Sequence, residues 1–240
     1  MARPSQAREP TGTPRGGAWP AGSMLDRIDP RLRARLLGLG TLRQYGAGEN
    51  LLVEGDRTVD VLLLLDGCVK ITASTGTGKA ALLAIRVGGD LIGEFAALDG
   101  APRIATATAA GAVVARRIGG KEFRDFLTAN ADVAVIVSTA MVNKLRWATR
   151  RRVDFGGHDV KGRLARVLLE LLSSYSRPVP QGYEITVSLT QPELAGIIGA
   201  SEPAVHKALA ELRRLALIDT SYRRLRVRDR DGLARLAGSG

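Results

Sequence analysis

Residues 190–213 read Thr-Gln-Pro-Glu-Leu-Ala-Gly-Ile-Ile-Gly-Ala-Ser-Glu-Pro-Ala-Val-His-Lys-Ala-Leu-Ala-Glu-Leu-Arg, a string that closely restricts what this region can fold into. Thr190 followed three residues later by Glu193 spells a capping box, in which the hydroxyl takes a backbone N–H and the carboxylate reaches back to the cap residue. Pro192 falls in the first turn, where no internal donor is needed. Leu194, Ile197 and Ile198 form the apolar stripe of this helix, with Leu189 and Leu194 placed as a hydrophobic staple. Gly199-Ala200 turns the chain and Ser201 caps a second helix, whose Val205, Leu209 and Leu212 face the first. Glu202, Pro203, His206 and Lys207 are left outward on the early turns of that second helix. Such a helix end, with Thr190 at the start of its partner, fits the major groove of DNA.

The segment behind it supports the same reading. Residues 217–220 and 225–228 flank residues 221–224 as a two-stranded wing, and Arg223, Arg224, Arg226 and Arg228 place positive charge where phosphates would run. The whole chain leans the same way: 35 Lys and Arg against 24 Asp and Glu give a net charge of +11, which favours a polyanionic partner. Glu202 has two readings, a carboxylate favourable at a helix amino end or an acceptor for a cytosine amino group.

Upstream the texture changes. Residues 1–22, rich in Pro and Gly, read as a disordered tail. Leu25, Ile28, Leu32 and Leu36 recur at helical spacing and predict a helix over 24–37. Residues 41–119 alternate short apolar runs with turn signals such as Gly55-Asp56, Asp66-Gly67 and Gly88-Gly89-Asp90, the pattern of a sandwich or barrel. Residues 121–155 read as helix with two apolar faces. Val133, Ile136, Val137, Ala140 and Trp147 would pack on the β domain. Ala134, Ser138, Met141, Leu145 and Ala148 step by four and three, the spacing of a helix–helix seam, and a second copy of the chain is the simplest partner. Gly156-Gly157 marks a break, and Arg150-Arg151-Arg152 reads as charge favourable to the end of that helix. A helix over 160–174, a loop over 177–182 and a strand through Ile185, Val187 and Leu189 complete the chain.

Several function classes are disfavoured. Cys68 is the only cysteine, so no internal disulfide and no cysteine-rich metal cluster can form. Two histidines are too few for a metal centre, and no serine or cysteine nucleophile is paired with a histidine in a recognisable motif, so an enzyme is not expected. Gly76-Thr77-Gly78-Lys79 falls short of a phosphate loop, since alanine stands at 73 and 80, and reads as a hairpin turn. Apolar runs such as 133–137 are far too short to cross a bilayer, and the amino terminus has no apolar signal core, so a cytoplasmic location is expected.

Residues 93–105 (Gly-Glu-Phe-Ala-Ala-Leu-Asp-Gly-Ala-Pro-Arg-Ile-Ala) place a glycine and a carboxylate one short loop before an arginine. That chemistry suits a sugar phosphate, with Arg103 forking onto the anion and Glu94 accepting from a hydroxyl. A structural ion pair between Glu94 and Arg103 is the other reading.

From about Leu25 onward the chain resembles the Crp/Fnr family of bacterial transcription regulators. Gly93-Glu94-Phe95 through Arg103 is similar to that family's cyclic-nucleotide phosphate cassette, with Glu94 as ribose ligand and Arg103 as phosphate ligand. The resemblance implies an α+β chain: a jelly-roll β-barrel sensor domain over 23–125, a dimerisation helix over 126–155, a hinge over 156–159 and a winged helix-turn-helix over 160–240. It implies a homodimer on duplex DNA, RNA polymerase as a further partner, and cyclic AMP or another cyclic nucleotide as effector rather than an obligatory cofactor. The chain departs from the pattern at Ile104, where members that bind cyclic AMP carry Ser or Thr. It departs again at Ala148-Thr149, where a Thr-Ser pair commonly meets the adenine and only Thr149 can offer a side-chain hydrogen bond. Lys207 stands where an arginine commonly contacts guanine. A ligand-independent DNA-binding dimer, or a nucleotide-responsive adaptor that contacts protein instead, would share these features.

Overall fold

Pro30 divides the first helical segment in two. The computed structural model, which describes residues 19, 23–75, 78, 80–221 and 224–238, shows α1 (Met24–Arg27) and α2 (Pro30–Leu37) instead of one helix. Proline cannot continue α1, and Asp29 caps α2 by accepting from the backbone N–H groups of Arg31 and Leu32. Of the expected tail only Trp19 is among the described residues. Its indole donates to the Leu65 carbonyl (3.3 Å) and lies under the Arg33 guanidinium.

Eight strands follow: β1 (Thr41–Tyr45), β2 (Asn50–Leu52), β3 (Val61–Asp66), β4 (Cys68–Ser74), β5 (Ala80–Val87), β6 (Leu91–Ile92), β7 (Thr106–Ala109) and β8 (Val113–Ile118), with the short helix α3 (Glu94–Asp99) after β6. They form two antiparallel four-stranded sheets ordered β1-β8-β3-β6 and β2-β7-β4-β5. This is the expected jelly-roll arrangement, built as a pair of facing sheets that do not close into a barrel. The run Val61 to Leu65 is fully buried because β3 is covered on both faces. Leu62 and Leu64 point between the sheets, onto Val69, Ile92 and Ala115. Val61, Leu63 and Leu65 point the other way, onto Leu25, Leu36 and Phe123 of the covering helices. Truncating Leu62 or Leu64 to alanine would cost about 2–5 kcal/mol. β4 and β5 pair from Cys68↔Val87 to Ser74↔Ala80, which places the 76–79 turn at a hairpin tip; Gly76, Thr77 and Lys79 lie outside the described residues.

The helix expected over 121–155 is two helices, α4 (Gly120–Ala129) and α5 (Ala131–Gly157), whose axes turn by 117°. Asn130 makes the corner: its amide donates to the Phe126 carbonyl and its side-chain oxygen accepts from Arg35. α5 runs through Gly156 and Gly157 and ends only at His158. The break therefore falls at 158–159, inside the expected 156–159 hinge but after both glycines, where Asp159 caps α6 (Val160–Ser174) by accepting from Gly162 N–H. Glycine weakens a helix by about 1 kcal/mol without forbidding it.

The remaining elements are β9 (Ser176–Val179), β10 (Gly182–Ile185), α7 (Gln191–Ile198), α8 (Glu202–Arg214), β11 (Ile218–Ser221), β12 (Arg224–Val227) and α9 (Arg230–Gly238). The expected loop over 177–182 contains a strand: β9 pairs with β10 in a sheet ordered β11-β12-β10-β9. Pro178 is tolerated there because β9 is an edge strand. The core of this module holds Leu164, Leu168, Ile198, Val205 and Leu212, and it is continuous with Leu82 and Ile85 of β5. The helix-turn-helix is thus packed onto the sheet of its own sensor domain. Among the described residues no single helix is long and apolar enough to cross a membrane.

Candidate effector cavity and DNA-reading surface

The β6–α3 corner builds the first site. Gly93 caps α3 at φ +84°, a left-handed conformation that favours glycine. A side chain there would also collide with Arg103 Nη1 at 2.7 Å and the Asp60 carbonyl at 2.9 Å. Beside it lies a cavity of about 190 Å³ walled by Leu83, Phe95, Ile104, Lys144, Trp147 and Ala148, with Gly93, Glu94 and Arg103 at its polar side. Five of the six expected ligand residues (Gly93, Glu94, Phe95, Arg103 and Ile104) therefore meet in one cavity. Thr149 does not: within one chain it is exposed and borders a separate hollow with Arg150, Val153 and Arg166.

Glu94 and Arg103 are both buried, yet neither pairs with the other. Arg103 donates through Nη1 to the Gly93 carbonyl (2.8 Å), through Nη2 to the Asp60 carbonyl (2.6 Å) and through Nε to the Thr58 hydroxyl (3.3 Å). Glu94 Oε1 accepts from Lys144 Nζ of α5 at 2.7 Å. Lys144 also donates to the Leu91 carbonyl and stands over the Phe95 ring. Burial pulls the Lys144 ammonium below its ordinary pKa, a pull that the Glu94 carboxylate opposes. Lys144 and Trp147 were not legible as site residues, although Lys144 lies one helical turn before Ala148 and Trp147 beside it, and all three line the cavity.

The second site is the outer face of the helix-turn-helix. Thr190 and Glu193 form the expected capping box, and Gly199 closes α7 in the left-handed region at φ +59°. Ser201 holds the N-cap position of α8, but its hydroxyl makes no capping hydrogen bond. Ser201, Glu202, Pro203, His206 and Lys207 are all exposed on one end of α8, as is Thr190 at the start of α7. β11 and β12 pair as the wing. Arg224 is exposed near Glu184, whereas Arg228 is engaged by Asp219 and Gln181. Arg223 lies outside the described residues.

On α5, Ser138, Leu145 and Ala148 of the expected seam are exposed and Ala134 is half-buried. Met141 is a correction: it packs against the sensor core. Val135, Val142 and Val153, each more than 40% exposed, join Leu145 on the open side. The open stripe thus runs 135, 138, 142, 145. Arg151 is a second correction, because it is buried and bonds Glu170 and the Ile197 carbonyl rather than the end of its own helix.

A β sandwich with a ligand-sized cavity, one long helix and a winged helix-turn-helix define a regulator that joins a sensor to a DNA-reading module. Comparison with known proteins agrees. The cyclic nucleotide-binding domain profile matches residues 42–130, and the Crp-like helix-turn-helix domain profile matches residues 162–236. The chain is 28% identical over 193 residues to a CRP-like cAMP-activated global transcriptional regulator of Mycobacterium tuberculosis, covering 80% of this chain and 86% of that one. It is 27% identical over 179 residues to the cAMP-activated global transcriptional regulator CRP of Salmonella typhimurium, covering 74% and 84%. A CRP-family transcriptional regulator of Thermus thermophilus superposes with a TM-score of 0.70 at 25% identity, over 82% of this chain and 97% of that one. The chain belongs to the Crp/Fnr family of DNA-binding transcription regulators.

Proposed function

We propose that this regulator works as a homodimer on a two-fold-related operator and that a cyclic nucleotide, or a similar small anion, in the Glu94–Arg103 cavity sets its DNA affinity. The meeting of Arg103, Glu94 and the α5 residues Lys144 and Trp147 in one cavity carries this reading. A guanidinium has five N–H groups; the three bonds named above leave one on each terminal nitrogen, a fork for a phosphate. Lys144 occupies one oxygen of Glu94, leaving Oε2 to accept from a ribose hydroxyl. Ile104 supplies no hydroxyl to the phosphate, so backbone N–H groups of the loop would take that part. The effector selects among arrangements of α5, and two α8 helices enter successive major grooves about 34 Å apart. The apolar stripe through Val135, Val142 and Leu145 is the surface on which two copies would meet. RNA polymerase is the expected partner on DNA, and the protein acts in the compartment that holds the genome. The relatives named cAMP-activated make cyclic AMP the first effector to try. Calorimetry with cyclic AMP and cyclic GMP, followed by duplex binding with and without each, tests the reading. Salt-steep duplex binding that neither nucleotide alters would leave a ligand-independent DNA-binding protein.

A further inference from the structure

Trp147 forms part of the cavity wall, and its indole also leaves the cavity on the far side. There Nε1–H donates to Glu170 Oε2 of α6 at 3.0 Å. One turn further along α5, the Arg151 guanidinium lies 4.2 Å from the Trp147 ring centroid. Arg151 Nη2 donates to the same Glu170 oxygen at 2.8 Å. Its Nη1 donates to the Ile197 carbonyl at 2.8 Å. Ile197 is in the last turn of α7, where carbonyls lack intrahelical donors and a cation is favoured by the helix dipole. Two residues on is Gly199, the left-handed residue that sets the angle between α7 and α8.

The structure assigns to Trp147, Arg151 and Glu170 a coupling role: they report the state of the effector cavity to the helix-turn-helix. Trp147 is the wall against which a planar effector ring packs, and Arg151 is a positioning residue that fixes α7 through the Ile197 carbonyl of its last turn. This rests on the effector reading above for the identity of the input, but not for the connection itself. The argument is geometric. The indole is held between ligand space and a buried guanidinium, so the ring cannot tilt without breaking its bond to Glu170 or displacing Arg151. Arg151 has no slack, since burial and three partners (ring, carboxylate and carbonyl) fix its head. Any displacement therefore reaches Ile197 and the turn beyond it. Lysine at 151 would keep the charge but cannot fork to both Glu170 and Ile197.

Coupling is reciprocal, so DNA bound at α8 must be felt at Trp147. Trp19 and Trp147 are the only tryptophans, and the full-length Trp19→Phe variant isolates Trp147 as the emitter. A duplex selected by the protein from a random-sequence pool is titrated in, with binding read by anisotropy of the labelled duplex. Trp147 emission is expected to change on binding, and Arg151→Lys to remove the change while the protein stays folded by circular dichroism. Duplex binding without any change at Trp147, or an unchanged response in Arg151→Lys, overturns the assignment. Glu170→Gln, an exposed and milder change, guards against misfolding and is expected to weaken the response as well. Calorimetry with cyclic AMP and cyclic GMP judges the effector reading separately. Where one of them binds, Arg151→Lys should retain nucleotide binding and lose about tenfold of the nucleotide's effect on duplex affinity.

Discussion

Lys70 Nζ of β4 lies 2.6 Å from Glu193 Oε1 of α7, so a carboxylate that caps the helix-turn-helix is also an anchor on the sensor domain. The helix is held at three points: Lys70 at its first turn, the β5 backbone against Gly196 further along, and Arg151 at the Ile197 carbonyl of its last turn. α7 is therefore one element through which the β domain and the helix-turn-helix touch, beside α6.

The Lys70 anchor has a pH signature. Burial pushes the Glu193 carboxyl up, but the Lys70 ammonium together with the Thr190 N–H and hydroxyl outweighs it, and the pKa lies below the ordinary 4.5. A depressed carboxylate contributes stability that is present above its unfolded value and is lost as pH falls through the folded one. The docked arrangement should thus weaken as pH drops below 4.5. Lys70→Met should cost about 1 kcal/mol near neutral pH, as expected for a partly exposed pair, and should flatten this acid dependence. Thermal unfolding at neutral and acid pH checks both, and identical pH profiles for the parent and Lys70→Met would dismiss the anchor.

Gly196 makes the middle contact. A β-carbon there would sit 2.9 Å from Leu82 N and 3.3 Å from Ala81 Cα, and backbone cannot swing aside. Alanine would raise helix propensity by about 1 kcal/mol, yet Gly196→Ala should loosen α7 from β5. The expected readout is faster tryptic cleavage around residues 150–163. Cleavage no faster than in the parent would mean that the contact is not kept in solution.

Much of this arrangement was legible locally. The capping box at Thr190 and Glu193, the glycine turn at 199 and the alternation of buried Val205, Leu209 and Leu212 all follow from chemistry within a few residues. The cassette residues converged for the same reason, since Gly93 to Ile104 is one corner. What the sequence did not show is pairing across distance. Lys70 and Glu193 are 123 residues apart, and Lys144 and Glu94 are 50 apart; charge alone does not reveal a partner. Arg151 read as charge favourable to a helix end because nothing near it in the chain shows that Trp147, Glu170 and Ile197 surround it. The seam was off at Met141 because a helix with adjacent apolar stripes does not disclose which stripe the sheet covers. The break at Asn130 went unseen because the corner depends on Arg35, far up the chain.

The open stripe on α5 leads to a sharper dimer test than the seam read from spacing. Leu145 and Val142 are 67% and 44% exposed. Leu145→Asp should place a charge in the interface between two copies and shift sedimentation toward the single chain at micromolar concentration. Met141→Asp should instead destabilise the fold, because Met141 packs on the sensor core. A protein that sediments as one chain before any substitution would remove the dimer.

At the DNA surface, Lys207 and Arg224 separate by kind of contact. Lys207→Ala should lose about 1–3 kcal/mol of discrimination between the selected duplex and random duplex, as for a direct base contact. Arg224→Ala should weaken both duplexes alike and lower the salt slope by about 1, as for a phosphate contact. Competition binding at several fixed salt concentrations reads both quantities. A specificity ratio untouched by Lys207→Ala would move base recognition to Ser201, Glu202 or His206.

Arg103 calls for a conservative substitution. Its three bonds tie the Gly93 corner to Thr58 and Asp60, so removing the side chain removes all three cross-links, and a hydrogen bond from a charged donor is worth about 1.5–3 kcal/mol. Arg103→Ala therefore confounds loss of ligand with loss of fold. Arg103→Lys keeps the charge and gives up the fork. It should fold, retain duplex binding and lose at least about tenfold in affinity for whichever cyclic nucleotide the parent binds, consistent with loss of a charge-assisted hydrogen bond. Calorimetry on the variant beside a thermal melt separates the two effects. Undiminished nucleotide affinity in Arg103→Lys would show that the anion is held elsewhere, with Lys144 and Arg86 the other cations in the cavity wall.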